Sequence, residues 1–182
     1  MQASRRYKKP TEERLKRSAL HYLERYASSA ANLQKVLQRK VFKACHSLDL
    51  DPEDYDPMID HVVALCVETG LINDLHYAKT KAASMRRRGG SKRKIEAKLI
   101  AKGVDRDTLQ NVLESDDEIE LEAAIAFARR RRLGPYRKSS DRELRREKDL
   151  AAMCRAGFAF EVARQVIDTS DEIEHSLSGF SD

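Results

Sequence analysis

The stretch GVDRDTLQNVLESDDEIE, residues 103–120, returns in altered form as GFAFEVARQVIDTSDEIE, residues 157–174. The two copies are offset by 54 residues, and both begin with glycine and end with DEIE. Apolar positions coincide, because Val104 falls on Phe158 and Val112 falls on Val166. Self-similarity at a fixed period is the signature of repeat architectures. The pair therefore predicts a chain that is built from tandem modules.

A second register links the beginning of the chain to its middle. An offset of 62 residues lays SAANLQKVL, residues 29–37, on SKRKIEAKL, residues 91–99. In both stretches a serine, a preferred helix N-cap residue, is followed by apolar residues at the four-residue spacing of one helix face. The same spacing recurs between Ser140 and Leu144. Three repeats of unequal length are the simplest interpretation.

The first repeat is predicted to contain three helices. An apolar stripe at helical spacing marks the first helix and consists of Leu15, Ala19, Leu23 and Tyr26. Ser29 is expected to cap the second helix. The third should begin at Asp56 and Pro57, because proline is favoured in the first helical turn. The acidic segment 48–56 is predicted to be a loop between the second and third helices.

The second repeat follows the same pattern. Asp74 is predicted to cap its first helix, which should end at the Gly89–Gly90 pair. Ser91 should then cap a second helix, and Asp105 should cap a short third one.

The third repeat is predicted to be similar but longer. Its first helix should bury a stripe of Ile119, Ala123 and Phe127. A break is expected at Gly134 and Pro135, followed by a helix over about residues 140–156 and a final helix across residues 162–167.

Composition agrees with this all-α interpretation. The 182 residues include 36% charged and 6% aromatic residues, with no tryptophan, a mixture that favours surface-rich helices. A single three-helix unit buries little surface, so stacking of neighbours in an elongated, curved array is expected. The predicted organisation is a flexible basic N-terminus (1–10), three repeats (11–72, 73–117 and 118–169) and an acidic tail (170–182).

Motifs for catalysis or for cofactors fail on inspection. The GGSK sequence at residues 89–92 lacks the spacing and the preceding strand of a phosphate-binding loop. Its helix N-terminus could still hold one backbone phosphate beside Lys92 and Arg93. The acidic positions around Asp51 lack the glycine of a calcium loop, and the five histidines show no metal-ligand spacing. We expect no catalytic residue, no metal site, no cofactor and no enzymatic activity.

The expected location is the cytoplasm. The three cysteines are odd in number and far apart, which is typical of reduced thiols. No apolar signal segment follows the basic N-terminus, and no stretch is long enough to span a membrane.

Charge is unevenly distributed, although the net value is only +5. Two basic clusters occupy matching junctions of the second and third repeats, which indicates a charged partner such as nucleic acid or an acidic protein surface. The candidate binding residues are Arg86, Arg87, Arg88, Lys92, Arg93, Lys94, Arg129, Arg130, Arg131, Arg132, Arg137, Lys138, Arg142, Arg145 and Arg146.

Three segments together resemble the RecX family of bacterial regulators of the RecA recombinase. They are ETGLINDLHYAK (68–79), RRRGGSKRKIEAKLIAKGV (86–104) and RAGFAFEVARQVI (155–167), and the likeness is most specific over residues 70–112. The resemblance implies a curved array of three-helix modules that does no catalysis and regulates recombination and the SOS response. It implies a monomer that binds the RecA filament on single-stranded DNA, directly or through RecA, and inhibits ATP hydrolysis and strand exchange. The alternative from the residues alone is a stand-alone helix-turn-helix-like DNA-binding protein.

Overall fold

A computed structural model describes residues 7–113 and 117–169, and these residues are helical throughout, with no strand. The predicted all-α class is confirmed. Nine α-helices follow one another as α1 (Glu12–Leu23), α2 (Ala30–Leu48), α3 (Asp56–Glu68), α4 (Asp74–Arg87), α5 (Lys92–Ala101), α6 (Arg106–Val112), α7 (Asp117–Arg131), α8 (Arg142–Arg155) and α9 (Phe160–Ile167). Short 3₁₀ turns at Glu53–Tyr55, Gly134–Tyr136 and Ser139–Asp141 lie in the longer connections.

The chain divides into two compact units. The first contains the residues up to Ala78 together with Ile100–Thr108, and the second contains Lys79–Leu99 together with the residues from Leu109 onward. The unit boundaries fall within α4, α5 and α6. The repeat limits drawn from the sequence stay a prediction.

The core of the first unit is formed by α1, α2 and α3. The largest fully buried side chains are Leu33 and Leu37 on α2 and Ile59 and Val62 on α3. Each pair is spaced by three or four residues, so each occupies one helix face. The predicted α1 stripe is correct at its first positions but wrong at Tyr26, which is 58% exposed. The helix ends at Leu23, and Tyr26 therefore leaves the helical register.

The core of the second unit is formed by α7, α8 and α9. Small residues of α7 and larger ones of α8 and α9 fill it: Ala123, Ala124, Phe127, Ala128, Leu150, Met153, Ala163, Val166 and Ile167. The Phe127 and Phe158 rings pack at a centroid distance of 5.6 Å. The predicted inward position of Ile119 is wrong, since this residue is 38% exposed near the beginning of α7.

The predicted equivalence of Ser140–Leu144 with the capped serine stretches is also wrong. Helix α8 begins at Arg142, with Asp141 at the N-cap position and no side-chain capping bond there. Leu144 is 81% exposed, whereas Leu33 and Ile95, its proposed counterparts, are buried completely. The buried face of α8 begins later, at Asp149 and Leu150.

Local capping explains most of the helix boundaries. The Ser29 hydroxyl accepts a hydrogen bond from the Asn32 amide at 3.2 Å, and Asp105 accepts one from the Thr108 amide at 2.8 Å. Both predicted caps are confirmed. The predicted cap of α4 is wrong by one residue, because the Asn73 side chain accepts from the His76 amide at 2.8 Å.

The first unit contains a joint around the N-terminus of α2. The Ser29 hydroxyl donates to the Lys102 carbonyl, and the Ala30 amide donates to the Asp74 carboxylate at 2.9 Å. Gly103 follows with a positive φ of 76° and lies directly against the side chain of Ala31. A Cβ at Gly103 would clash with this neighbour, so the joint requires glycine.

The second unit repeats this joint around the N-terminus of α5. The Ser91 hydroxyl donates to the Ala156 carbonyl at 2.7 Å, and the Lys92 amide donates to the Glu120 carboxylate. A Cβ at Gly157 would lie 2.6 Å from the Ser91 hydroxyl oxygen. Both offsets found in the sequence, 62 and 54 residues, therefore have one physical origin. They relate the two sides of the same joint.

Within residues 7–113 and 117–169, no helix combines the length and the apolarity that a membrane crossing needs.

Candidate partner-binding surface

The candidate surface begins where α4 ends and α5 begins, within the second unit. The backbone of Gly89 lies against the middle of α7, since a Cβ there would be 2.5 Å from the Phe127 nitrogen. This close approach brings the basic end of α4 beside α7.

The N-terminus of α5 is occupied by a carboxylate of the protein itself. Both carboxylate oxygens of Glu120 accept from the Lys92 amide, at 3.1 and 3.0 Å. The same carboxylate forms an ion pair with Arg86 at 3.2 Å. A negative group at a helix N-terminus satisfies free amides and the positive end of the helix dipole. The expectation that this N-terminus holds a backbone phosphate is therefore wrong, because Glu120 takes that position.

A buried ion pair engages another of the candidate arginines. Asp149 is 2% exposed, and its carboxylate accepts from Arg137 at 3.1 Å (Nε) and 2.7 Å (Nη2) and from the Gly134 amide at 2.9 Å. The hydrogen bond to Asp149 raises the pKa of the Arg137 guanidinium. This arginine fastens α8 to the turn that precedes it.

Two further candidates also make contacts within the second unit. The Arg142 guanidinium donates to the carbonyls of Pro135 and Arg137. Arg146 forms a bidentate pair with Asp168, both N–O distances being 2.7 Å, and a third contact with Glu147. The pair raises the pKa of Arg146 and lowers that of Asp168.

The candidates thus fall into two groups. Those that are only partly exposed are Arg86, Lys92, Arg137, Arg142 and Arg146, each with a contact inside the protein. Those that are exposed are Arg87, Arg88, Arg93, Lys94, Arg129, Arg130, Arg131, Arg132, Lys138 and Arg145. The exposed group is the part of the predicted set whose charge faces solvent.

Aromatic rings support some of the exposed arginines at the end of α7. The Arg129 guanidinium lies 5.3 Å from the centroid of the Tyr136 ring. Arg130 and Arg131 lie 5.9 and 6.0 Å from the centroid of Phe127. Such contacts limit the motion of a guanidinium while leaving its N–H groups available to an anion.

A cleft of about 390 Å³ in the second unit brings three cations together. Lys94 of α5, Arg131 of α7 and Arg155 of α8 line it, over small and apolar residues that include Phe127 and Leu133. Arg155 was missed in the sequence, where its only signal is its place in the last turn of a predicted helix. Three positive side chains from three helices can hold a phosphate or a carboxylate group.

The described residues offer little for catalysis or metal binding. None of the groupings of His, Cys, Asp and Glu within residues 7–113 and 117–169 could hold a metal ion. Cys45 and Cys66 are buried, and burial raises the pKa of both thiols. Cys154 is exposed. What the surface can do chemically is bind anions.

Comparison with known proteins settles the family. Residues 73–113 match the model of the RecX second three-helix domain, and this region coincides with the segment of the strongest predicted resemblance. Regulatory protein RecX of Myxococcus xanthus is 41% identical over 159 residues, which cover 86% of this chain and 85% of that protein. The chain belongs to the RecX family.

Other members of the RecX family agree. Regulatory protein RecX of Agrobacterium fabrum is 33% identical over 88% of this chain and 86% of its own. The crystal structure of RecX from Lactobacillus salivarius has the same fold, with a TM-score of 0.63, 22% identity and coverage of 86% of this chain and 94% of that one.

Proposed function

We propose that this protein regulates the RecA recombinase without catalysing a reaction, by binding the RecA filament on single-stranded DNA and inhibiting ATP hydrolysis and strand exchange. The observation that carries the proposal is the 41% identity to a regulatory RecX protein over 86% of the chain. RecA enters as the partner through the family. We place this activity in the cytoplasm and assign it to a monomer.

The exposed cations of the second unit support a polyanionic or acidic partner. Arg87 and Arg88 at the end of α4 and Arg93 near the beginning of α5 are exposed. Contacts to phosphates release counterions, and they therefore weaken steeply as salt increases. Inhibition follows if the protein binds one filament conformation more tightly than another, because only a difference in affinity shifts a conformational equilibrium.

The test measures the ATPase activity of RecA on single-stranded DNA at increasing concentrations of this protein. We expect inhibition by the wild type and a weaker effect of Arg87→Glu and Arg93→Glu. Lys98→Glu is the matched control, since Lys98 is exposed on the same helix as Arg93 but lies outside the candidate set. An ATPase rate that stays unchanged at saturating protein would reject the regulatory proposal.

The alternative is a stand-alone duplex-DNA-binding protein. Three short helices per repeat, with a glycine turn before the third, are also the pattern of helix-turn-helix units. A sequence-dependent footprint on duplex DNA in the absence of RecA would favour this alternative. A footprint that needs RecA and single-stranded DNA would favour the regulator.

A further inference from the structure

A basic groove lies in the first unit, far in sequence from the candidates described above. Its volume is about 730 Å³. Five cations line it, one ahead of α1 (Lys8), two on α1 (Arg14 and Arg17) and two on α2 (Lys40 and Lys43), together with the ring of Tyr7. No aspartate or glutamate is among the lining residues. The groove therefore presents a concentrated positive charge.

Contacts within the protein hold one wall of this groove. Arg14 donates to the Lys9 carbonyl at 2.6 Å, and Pro10 is buried. The Thr11 hydroxyl caps α1 by accepting from the Arg14 amide at 3.4 Å. These contacts connect Tyr7 and Lys8 to the helix, so the groove is formed before any ligand binds.

We propose that this groove binds the sugar–phosphate backbone of single-stranded nucleic acid, with Tyr7 stacking on one base. The inference stands apart from the regulation of RecA, because the groove needs no RecA to bind its ligand. Lys8, Arg17, Lys40 and Lys43 are exposed and supply the phosphate contacts. Contacts of this kind do not depend on base sequence.

Size and chemistry favour a single strand over other anions. The groove volume falls within the range of about 300–1,000 Å³ that is typical of sites for small ligands. One or two nucleotides fit such a space, whereas a duplex is too wide to enter it. The Tyr7 ring is 40% exposed beside the cations, and a base supplies the flat surface on which an aromatic ring stacks. An acidic peptide would supply the charge without that surface.

The first experiment measures binding of a fluorescein-labelled oligo-dT strand to the full-length protein by fluorescence anisotropy, without RecA. We expect Arg17→Gln and Lys40→Gln each to weaken binding about fivefold at 0.1 M salt and to reduce the slope of log K against log salt by about 0.7, the loss of one phosphate contact. Arg25→Gln and Lys35→Gln are the matched controls, because both residues are exposed in the first unit but do not line the groove. Equal losses in the groove variants and the controls would overturn the inference.

The second experiment tests the stacking contact. Tyr7→Ser should weaken oligo-dT binding by roughly fivefold or more, the value of one stacked base, and should have no effect on a strand of abasic residues. Tyr26→Ser is the control, since Tyr26 is exposed in the same unit outside the groove. A loss on the abasic strand as large as on oligo-dT would contradict stacking.

Two further measurements identify the ligand and separate this inference from the regulation of RecA. Polyglutamate that binds as tightly as oligo-dT, with the same loss in Arg17→Gln, would assign the groove to acidic protein and overturn the inference. So would a duplex of equal length that behaves in this way. Inhibition of the RecA ATPase that persists while the groove variants bind naked oligo-dT normally would overturn this inference alone. Loss of naked-strand binding in the groove variants only would support it.

Discussion

Replacing Asp149 by asparagine tests whether the buried ion pair stabilises the second unit. The carboxylate is 2% exposed and accepts three hydrogen bonds, two from Arg137 and one from the Gly134 amide. Asp149→Asn keeps the shape of the side chain but removes its charge and places an NH₂ group among donors. At least one donor then loses its acceptor.

Burial sets the size of the effect. Removing one partner of a buried pair costs about 3–5 kcal/mol, and we expect the low end, because the Arg137 side chain is 27% exposed and regains water. A loss of about 3 kcal/mol corresponds to a decrease in Tm of roughly 6–12 °C for a protein of this size. Thermal unfolding followed by circular dichroism at neutral pH measures the decrease.

Asp168→Asn is the matched control. Asp168 also forms a bidentate pair with an arginine, Arg146, but the two side chains are 38% and 39% exposed. Water screens such a pair, so this variant should unfold close to the wild-type temperature. Equal decreases in Tm for the two variants would refute the argument from burial.

The control pair also has a pH dependence of known sign. Arg146 lowers the pKa of Asp168 in the folded protein. The stabilisation by the pair is therefore present above the pKa of the unfolded chain and is lost as the pH falls through the lower folded value. In acid, Asp168→Asn and wild type should converge in stability.

Three smaller effects should also be measurable. Ser91→Ala removes both a helix cap and the hydrogen bond to the Ala156 carbonyl, and urea denaturation should show a loss of about 1–2 kcal/mol; an unchanged midpoint would mean that the joint does not depend on this hydroxyl. Gly157→Ala should destabilise more than Gly70→Ala, because both glycines have positive φ but a Cβ meets a neighbour only at Gly157. The same urea experiment decides this, and equal losses would place the whole cost in the backbone. One of the three thiols, that of Cys154, should react rapidly with Ellman's reagent in the native protein, and three rapid thiols would contradict the burial of the other two.

Sequence patterns predicted what depends on neighbouring residues. The caps at Ser29 and Asp105 are confirmed, because an N-cap side chain bonds an amide only two or three residues along the chain. The failures at Tyr26, Ile119 and Leu144 have the opposite cause. Helical spacing extends a stripe indefinitely, while the packing partner ends.

The candidate surface was predicted less completely, because its parts are far apart in sequence. Glu120 lies 28 residues from the helix N-terminus that it caps, and Asp168 lies 22 residues from Arg146. No local pattern distinguishes these paired arginines from their exposed neighbours. The basic groove of the first unit escaped detection for the same reason, since its cations are spread over three segments.

The sequence by itself determined the helical class, the repeated module and the places where most helices begin, because these follow from interactions within one or two turns. Only the tertiary structure decided which cations are held inside the protein and which face solvent. The physical reason is that a charge is neutralised by whichever group packing brings within a few ångströms, and packing joins residues that the chain keeps far apart.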